Sequence, residues 1–228
     1  MSYDGVINIF KPVGITSHGV ISRVRKILDM KKVGHTGTLD PDADGVLPIC
    51  VGKGTKLSER LMNKDKTYLA VMKLGVTTDT QDASGNVMET REVTVTEEDV
   101  LGVISGFIGD IKQIPPMYSA IKINGRKLYE LARKGIEVER KPRGVTIYSI
   151  KDITISGDSV TMTVECSKGT YIRTLCHDIG EKLGCGAHMA RLTRTRAGMF
   201  DIKNSVTLDE LNESHIIGID EILAQMEG

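Results

Sequence analysis

Stretches of alternating apolar and polar residues predict that strands make up much of this chain. Two such stretches flank Gly157-Asp158 and predict a long hairpin, and Asn124-Gly125 is a strong hairpin-turn signal of its own. The predicted strands are "VINIF" (6–10), "VLPICVG" (46–52), "TYLAVMKLGV" (67–76), the hairpin "GVTIYSIKDITISGDSVTMTVEC" (144–166) and "HMARLTRTRAG" (188–198).

Helices are predicted where apolar residues recur every three or four positions after a capping residue. After the "KPVG" turn, "TS" offers such a cap. The apolar face of the helix that follows is predicted to contain Val20, Val24, Ile27 and Leu28. Further helices are predicted from Thr96 to about Ile108, over "YELARKG" (129–135), from Tyr171 to Leu183 with Gly184 as the cap, and from "TLDELN" (207–212) onwards.

Strands joined mainly by hairpins, with helices between them, predict an α+β fold with a largely antiparallel sheet. No repeat, linker or low-complexity segment divides the sequence. We therefore expect one domain over residues 1–228.

The composition, with 40% hydrophobic and 26% charged residues, is typical of a soluble globular protein. No apolar run approaches the roughly 18 residues that a membrane span needs. "MSYDGVINIF" lacks the basic start of a signal peptide. The cysteines form no CxxC pair, and Cys176-His177 with Cys185-x-x-His188 fits no familiar zinc spacing. We expect reduced cysteines, a cytoplasmic location and no contact with a membrane.

The formal net charge is zero, but the charges are unevenly distributed. Residues 122–143 are basic on balance, and "ARLTRTRAG" (190–198) carries three arginines and no acid. A basic face can bind phosphates without a net excess of positive charge over the whole chain. For either stretch alone, solvated surface charge is the favoured explanation; the two together shift the balance modestly towards a polyanionic partner.

The segment "GHTGTLDPDADGVLP" (34–48) begins like a calcium loop of the EF-hand type, with Asp40, Asp42 and Asp44 followed by Gly45. Position 12 of such a loop must be a bidentate Glu, but here it is Val51. The flanks are also wrong, because glycine-rich sequence precedes the loop and a predicted strand follows it. Calcium is therefore rejected, and weak Mg²⁺ binding by the three acids stays open as an alternative.

Several polar residues lie in settings that suit chemistry rather than packing. Arg173 falls in the first turn of a predicted helix, where its side chain can reach a carboxylate on a neighbouring loop. One Asp, one Arg and a few tyrosines in an RNA-binding protein would suit covalent catalysis on a flipped base. The candidates are Lys11, His35, Asp40, Tyr68, Tyr118, Lys168, Tyr171 and Arg173.

Seven blocks of sequence, in order along almost the whole chain, resemble the TruB family of bacterial tRNA pseudouridine-55 synthases. The blocks are "KPVGITS", "GHTGTLDP…GVLP", "DKTY", "LGVTTDTQDASG", "IPPMYSAIKINGRKLYELAR", "CSKGTYIRTL" and "LGCGAHMARLTR". The resemblance implies a pseudouridine-synthase fold, with a mixed, largely antiparallel central sheet and flanking helices. It also implies conversion of the T-loop uridine of tRNA to pseudouridine without cofactor or metal. We expect a monomer that binds the T-arm stem-loop.

The resemblance also implies roles for single residues. Asp40 corresponds to the catalytic aspartate, and Arg173 to the arginine that pairs with it. Tyr68 corresponds to the tyrosine that stacks on the target base and assists proton transfer. The expected substrate contacts and supports are His35 at the T loop, Tyr171 and Leu192 lining the pocket, and Lys11 in a motif that supports the catalytic loop.

The chain departs from the family pattern in two places. Asp44 takes a position where the family usually has Thr or Ser, and Asp42 adds another charge. We expect both to point to solvent and to be dispensable. Many members carry a C-terminal RNA-binding module of the PUA type, and we expect none here because the sequence stops at Gly228.

Two other functions compete with a pseudouridine synthase. A non-catalytic RNA-binding or tRNA-folding protein could keep the same scaffold, although the expected Asp, Tyr and Arg are all present. A Mg²⁺ nuclease built on Asp40, Asp42 and Asp44 would lose its activity in excess chelator.

Overall fold

The structure is a computed structural model that describes residues 3–119, 121–123 and 125–227. Its strands are β1 (Gly5–Lys11), β2 (Val33–His35), β3 (Asp44–Val51), β4 (Lys66–Leu74), β5 (Val76–Thr78), β6 (Val87–Thr90), β7 (Gly109–Gln113), β8 (Lys122–Ile123), β9 (Arg126–Lys127), β10 (Arg143–Ser156), β11 (Ser159–Cys166), β12 (Ala187–Ala197), β13 (Phe200–Asp201) and β14 (Ile217–Gly218). Its helices are α1 (Ser17–Ile27), α2 (Ser58–Met62), α3 (Glu97–Ser105), α4 (Leu128–Ala132), α5 (Ile172–Leu183) and α6 (Ile219–Glu227). The predicted α+β fold is confirmed.

The chain divides into two compact units. The first contains Met1–Leu69 and Leu192–Gly228, and the second contains Ala70–Arg191. The chain passes from one unit to the other within β4 and again within β12.

In the first unit the strand order is β14–β1–β3–β12, with β2 paired to β3 and β13 paired to β12. β1 and β3 are antiparallel, whereas β3 and β12 run parallel where Asp44 lies opposite Thr193 and Gly45 opposite Arg194. All eight residues of β3 are buried. A central strand covered on both faces reads as a continuous apolar run, which explains the pattern "VLPICV".

Apolar side chains cover both faces of the β1–β3 pair, because successive residues of a strand point to opposite sides. One layer packs under α1 and contains Ile7, Ile9, Val20, Ile21, Val24, Leu28, Val33, Leu47, Ile49, Val51, Val206, Leu208 and Leu211. The other contains Val6, Val46, Cys50, Leu57, Leu61, Ala197, Phe200 and Ile222. These two layers fix the strands that hold Lys11 and Asp44.

In the second unit the strand order is β4–β11–β10–β7. The predicted long hairpin is confirmed as β10 and β11, joined at Gly157, whose φ of +59° favours glycine. β8 and β9 also form the predicted hairpin, although Asn124 of its turn signal lies outside the described residues.

The predicted helix starts are accurate to within one residue except at Thr207, whereas some predicted faces and ends are not accurate. Thr16 caps α1 by accepting a hydrogen bond from the N–H of Gly19, and Thr96 caps α3 in a capping box with Asp99. Of the residues predicted on the apolar face of α1, Val20, Val24 and Leu28 are buried, whereas Ile27 is 42% exposed. α3 ends at Ser105 rather than near Ile108, with Gly106 as its C-cap.

The helix predicted from "TLDELN" is wrong. Thr207 and Glu210 do make the contacts of a helix start, because the Glu210 carboxylate accepts from the N–H and the hydroxyl of Thr207. The chain then forms a turn, and Asn212 caps a separate short 3-10 turn. The last helix, α6, begins at Ile219.

None of the helices in the described ranges is long and apolar enough to cross a membrane. The four cysteines are free and buried.

Candidate active site

Asp40 lies half-buried between β2 and β3 in a segment called here the Asp40 loop, residues 36–43. Its neighbour Leu39 is only 3% exposed. The Ser17 hydroxyl, at the start of α1, accepts from the Leu39 N–H and donates to the Leu39 carbonyl, both at 2.9 Å. The residue before Asp40 is therefore anchored by its side chain and by its backbone.

The residue after Asp40 is held from β1. Lys11 is 0% exposed, and its Nζ donates to the carbonyls of Pro12 and Ile15 at 2.8 Å and of Pro41 at 3.3 Å. The Gly14 N–H donates to the same Pro41 carbonyl at 2.9 Å. The "KPVG" turn and the Asp40 loop are thus joined at Pro41.

A second buried cation holds the other side of the loop. Arg194 of β12 is 2% exposed, and its guanidinium donates to the carbonyls of Val46 at 2.7 Å, Thr38 at 3.4 Å and Gly37 at 3.3 Å. We call Arg194 and Lys11 the loop clamp, because each binds a backbone carbonyl of the Asp40 loop.

Sequence reasoning missed the loop clamp as a pair. It placed the arginines of "ARLTRTRAG" on one basic face, and that prediction is wrong for Arg194. Strand alternation could have indicated that Arg194 is buried, because it places Arg194 on the same face of β12 as the apolar Leu192. In the structure the buried residues in the second half of β12 are Leu192, Arg194 and Ala197.

The two extra acids near Asp40 differ in their exposure to solvent. Asp42 is exposed, as expected, but Asp44 is only 8% exposed, so the prediction that it points to solvent is wrong. The physical reason is that Asp44 begins β3, a central strand between β1 and β12 whose eight residues are all buried. In the described part of the chain, no three His, Cys, Asp or Glu side chains are grouped so that they could hold a metal ion.

The charges around Lys11 act in opposite directions. Burial lowers the pKa of Lys11 from its usual 10.5 to about 8, and the positive charge of Arg194 lowers it as well. Asp44, then Asp40 and Asp42, act against that shift by attraction. Lys11 therefore sits among acids whose negative charge offsets part of the cost of burying its ammonium group.

His35, at the end of β2, is half-buried beside the loop. Its Nδ1 accepts from the Gly37 N–H at 3.1 Å. Burial, then the charges of Arg194 and His18, lower the pKa of His35 below its usual 6.5. At neutral pH the ring is therefore neutral, with its proton on Nε2.

Two more predicted site residues lie in the first unit. Tyr68 of β4 is half-buried, and Leu192 of β12 is 7% exposed. Their strands are linked beside them, because the Thr195 hydroxyl donates to the Thr67 carbonyl at 3.2 Å. The first unit thus carries Lys11, His35, Asp40, Tyr68 and Leu192 of the predicted set.

The second unit carries Arg173 and Tyr171. Arg173 lies in the first turn of α5 and is 7% exposed. Its Nη1 pairs with Asp82 Oδ2 at 3.3 Å, and its Nη2 donates to the Tyr118 carbonyl at 2.9 Å. Tyr171 caps α5, and the buried Gln113 amide binds both its N–H, at 3.0 Å, and its carbonyl, at 3.1 Å.

Sequence reasoning also missed Asp82. Its Oδ1 accepts from the Thr80 hydroxyl at 2.7 Å, the Ser84 N–H at 3.0 Å and the Ser84 hydroxyl at 2.6 Å, which leaves Oδ2 aimed at Arg173. The stretch "TDTQDASG" is typical of an ordinary polar turn, so the sequence does not indicate that Asp82 has a fixed orientation.

Two family profiles match consecutive parts of the sequence. The profile described as TruB family pseudouridylate synthase (N terminal domain) matches residues 25–172, and that described as tRNA pseudouridylate synthase B C-terminal domain matches residues 173–226. The chain belongs to the TruB family.

Relatives named tRNA pseudouridine synthase B are similar to it over most of its length. The Alkaliphilus oremlandii protein is 53% identical over 224 residues, which is 98% of this chain and 74% of that protein. The Dechloromonas aromatica protein is 56% identical over 208 residues, which is 91% of this chain and 70% of that protein. The TruB family assignment thus rests on nearly the whole chain.

Solved structures agree with the TruB family fold. A chain in the crystal structure of a Cbf5-Nop10-Gar1 complex is 37% identical with a TM-score of 0.74, and the match covers 92% of this chain and 54% of that one. A chain in an H/ACA RNP bound to a substrate RNA containing 2'-deoxyuridine is 35% identical with a TM-score of 0.70, over 92% and 52% of the two chains. This TruB chain spans about half the length of those structures' chains.

Proposed function

We propose that this chain, a tRNA pseudouridine synthase of the TruB family, isomerises the T-loop uridine of tRNA with Asp40 as its catalytic carboxylate. The observation that carries the proposal is the support of the Asp40 loop. Leu39 and Pro41, the two neighbours of Asp40, are each fixed to α1 or β1. A carboxylate held in this way keeps its geometry while a base is turned over beside it.

The reaction is an isomerisation. The N1–C1′ bond of the uridine breaks, the uracil rotates, and a C5–C1′ bond forms. The proton leaves C5 and N1 ends protonated, so no atom is gained or lost. Asp40 serves by adding to C1′ or C6 and leaving again, or by taking a proton from C2′.

The other residues act around that carboxylate in this proposal. Arg173, whose guanidinium pairs with Asp82 in the structure, takes the role of the family's active-site arginine. Tyr68 stacks on the target base and assists proton transfer. His35, neutral at working pH, contacts the T loop while the base is flipped, and Tyr171 and Leu192 line the base pocket.

Exposed cations of the second unit supply phosphate contacts to the T-arm. Lys122, Arg126, Arg133 and Lys134 are all exposed. Contacts of this kind add affinity for any RNA backbone and weaken with salt. We therefore expect the isolated T-arm stem-loop to be nearly as good a substrate as whole tRNA.

The decisive experiment incubates the protein with unmodified tRNA transcript or with T-arm stem-loop and maps pseudouridine. Both substrates should be converted at the T-loop uridine, with similar kcat/KM and salt dependence. Excess chelator should leave the rate unchanged, whereas a Mg²⁺ nuclease would stop. Conversion at another uridine would refute the T-loop assignment.

Asp40→Asn is the matched test of the catalytic residue. The amide is nearly isosteric but is neither nucleophile nor base, so turnover should fall by about three orders of magnitude or more while tRNA binding persists. Multiple turnover by that variant, after deamidation has been excluded, would remove Asp40 from the proposed role. A tRNA-folding protein would bind RNA and convert none of it even as wild type.

We also propose that the protein acts as a monomer in the cytoplasm. Four buried, free cysteines fit a reducing compartment. Light scattering at working concentration tests the monomer, and a dimer mass would contradict it.

A further inference from the structure

Gln113 is a buried polar residue of the second unit that the proposed function does not yet use. It ends β7, the last strand in the order β4–β11–β10–β7, and lies opposite Arg143 of β10. Its side chain is only 1% exposed. Pro115 and Pro116, both buried, follow it and have no N–H with which to continue the strand. Gln113 therefore extends from a backbone that the sheet holds on one side and prolines stiffen on the other.

Both polar atoms of the Gln113 amide bind the backbone of a single residue, Tyr171. Oε1 accepts from the Tyr171 N–H at 3.0 Å, and Nε2 donates to the Tyr171 carbonyl at 3.1 Å. A buried amide needs partners for both atoms, and here one residue, 58 positions further along the chain, supplies them. Two bonds to the same residue fix its orientation as well as its position, as in an antiparallel pair of strands.

Tyr171 is the residue at which the chain changes from extended backbone to α5. Its φ of −101° and ψ of 106° are extended, and among the described contacts its side chain makes no capping hydrogen bond to the helix. The backbone angles at this residue decide the direction in which its side chain leaves the chain. The Gln113 amide, bound on both sides of those angles, is therefore placed to fix that direction.

A second contact joins the same two segments. The Arg173 guanidinium, in the first turn of α5, donates to the carbonyl of Tyr118 at 2.9 Å. Tyr118 lies in the segment that begins at Gln113, so residues 113–118 and the start of α5 are joined at two points. Residues 113–118 thus hold both residues of α5, Tyr171 and Arg173, that the proposed function uses.

Resting on the proposed function, we propose that Gln113 is a positioning residue: its buried amide fixes the Tyr171 backbone, and with it the direction of the tyrosine side chain that lines the proposed base pocket. Gln113 touches no substrate atom in this role. Its contribution is that this wall of the pocket is ordered before the RNA binds, so that less binding energy is spent on ordering it.

Gln113→Glu tests the proposal within one protein, because a single proton decides whether the new side chain makes both bonds. A protonated carboxyl has an O–H donor and a carbonyl acceptor, so it can replace the amide. An ionised carboxylate only accepts, so it keeps the bond from the Tyr171 N–H and loses the bond to the Tyr171 carbonyl. Burial raises the pKa of a carboxyl, which brings this change into the pH range in which activity is measurable.

The kcat for the T-arm stem-loop is measured against pH and divided by the wild-type kcat at the same pH. For Gln113→Glu we expect this ratio to be highest at low pH and to fall by about tenfold as pH rises, with little change in KM. Gln113→Met, which makes neither bond, should show the full loss at every pH. Hydrogen exchange of the Tyr171 amide, followed by NMR, should be faster in Gln113→Met than in the wild type.

Val160→Ala is the control for a general loss of stability. Val160 is fully buried in β11 of the same unit and pairs with Ile155 near the turn of the long hairpin. Val160→Ala should lower the melting temperature while kcat, measured well below melting, and the exchange of the Tyr171 amide stay at wild-type values. A loss of kcat in Val160→Ala equal to that in Gln113→Met would refute the proposal.

Wild-type kcat or wild-type exchange of the Tyr171 amide in Gln113→Met would also refute it. If Gln113→Met does not fold, Gln113→Glu decides alone, and a kcat ratio that does not change with pH would then refute the proposal. The exchange measurement needs no turnover, so it separates this proposal from the proposed function. A wild type that converts no uridine would refute the proposed function and leave the fixing of Tyr171 by Gln113 to the exchange measurement.

Discussion

Arg194 in the first unit and Arg173 in the second are almost equally hidden from solvent, at 2% and 7% exposure, yet their described acceptors differ in kind. Arg194 donates to three backbone carbonyls, two of them in the Asp40 loop. Arg173 pairs with the carboxylate of Asp82 and donates to one carbonyl.

The difference suggests what each arginine does. Carbonyl acceptors bind the donors of Arg194 along a stretch of backbone, so that its guanidinium defines the shape of a loop. The carboxylate of Asp82 instead fixes the orientation of a planar fork and shares its charge. A buried arginine bound to backbone is expected to matter for stability as well as rate, and one oriented by an acid mainly for rate.

Arg173→Lys should show the largest difference between the loss of rate and the loss of stability. A lysine keeps the charge but not the fork, so kcat should fall by about a hundredfold, the size of losing one oriented donor at a reacting centre. The melting temperature should change little by comparison. Near wild-type rates measured on tRNA transcript would make Arg173 structural, like Arg194.

Arg194→Lys, in contrast, should lower both stability and rate. Lysine cannot reach all three carbonyls, and leaving buried carbonyls unsatisfied should lower the free energy of unfolding by about 1–3 kcal/mol. Urea unfolding measures this loss, and kcat should fall by about tenfold as the Asp40 loop loosens. Exposed Arg191→Lys, in the same strand, is the control. Unchanged stability in Arg194→Lys would show that the loop holds its shape without the fork.

Asp82→Asn tests whether the carboxylate that pairs with Arg173 is needed for rate. The amide can keep the contacts to Thr80 and Ser84 but loses the charge that orients Arg173, so kcat should fall several-fold while KM stays nearly constant. Asp79→Asn is the matched control, because Asp79 lies in the same turn and binds Asn86 instead. Equal effects of Asp82→Asn and Asp79→Asn would mean that Asp82 stabilises the turn and does not orient Arg173.

The smallest expected effect concerns His35, which the charge of Arg194 influences. Its folded pKa lies below 6.5, so as pH falls below about 6.5 the unfolded state takes up the proton first and stability is lost. His35→Gln should therefore show a smaller drop in unfolding free energy between pH 7.5 and pH 5.5 than the wild type. An identical drop would mean that other groups carry the pH dependence.

Local sequence was enough for many elements because the forces that form them are local. Thr96 and Asp99 make a capping box, and Gly157 permits the turn of the long hairpin, whatever the rest of the chain does. The TruB motifs likewise pointed to Asp40, since a motif is a pattern of neighbours along the chain. Local signals also misled where no tertiary packing followed them, as at Thr207, whose helix-start contacts lead only into a turn.

Local patterns and family motifs were sufficient to predict the α+β class, the caps and hairpins, the family and the aspartate proposed as catalytic. The burial of Asp44 and Arg194 and the pairing of Asp82 with Arg173 depend instead on the tertiary structure. The reason is distance along the chain: Arg194 binds Val46 across 148 residues, and Arg173 reaches Asp82 across 91. Periodicity gives the face of a strand on which a side chain lies, but whether that face meets water or another strand depends on which distant segment packs there.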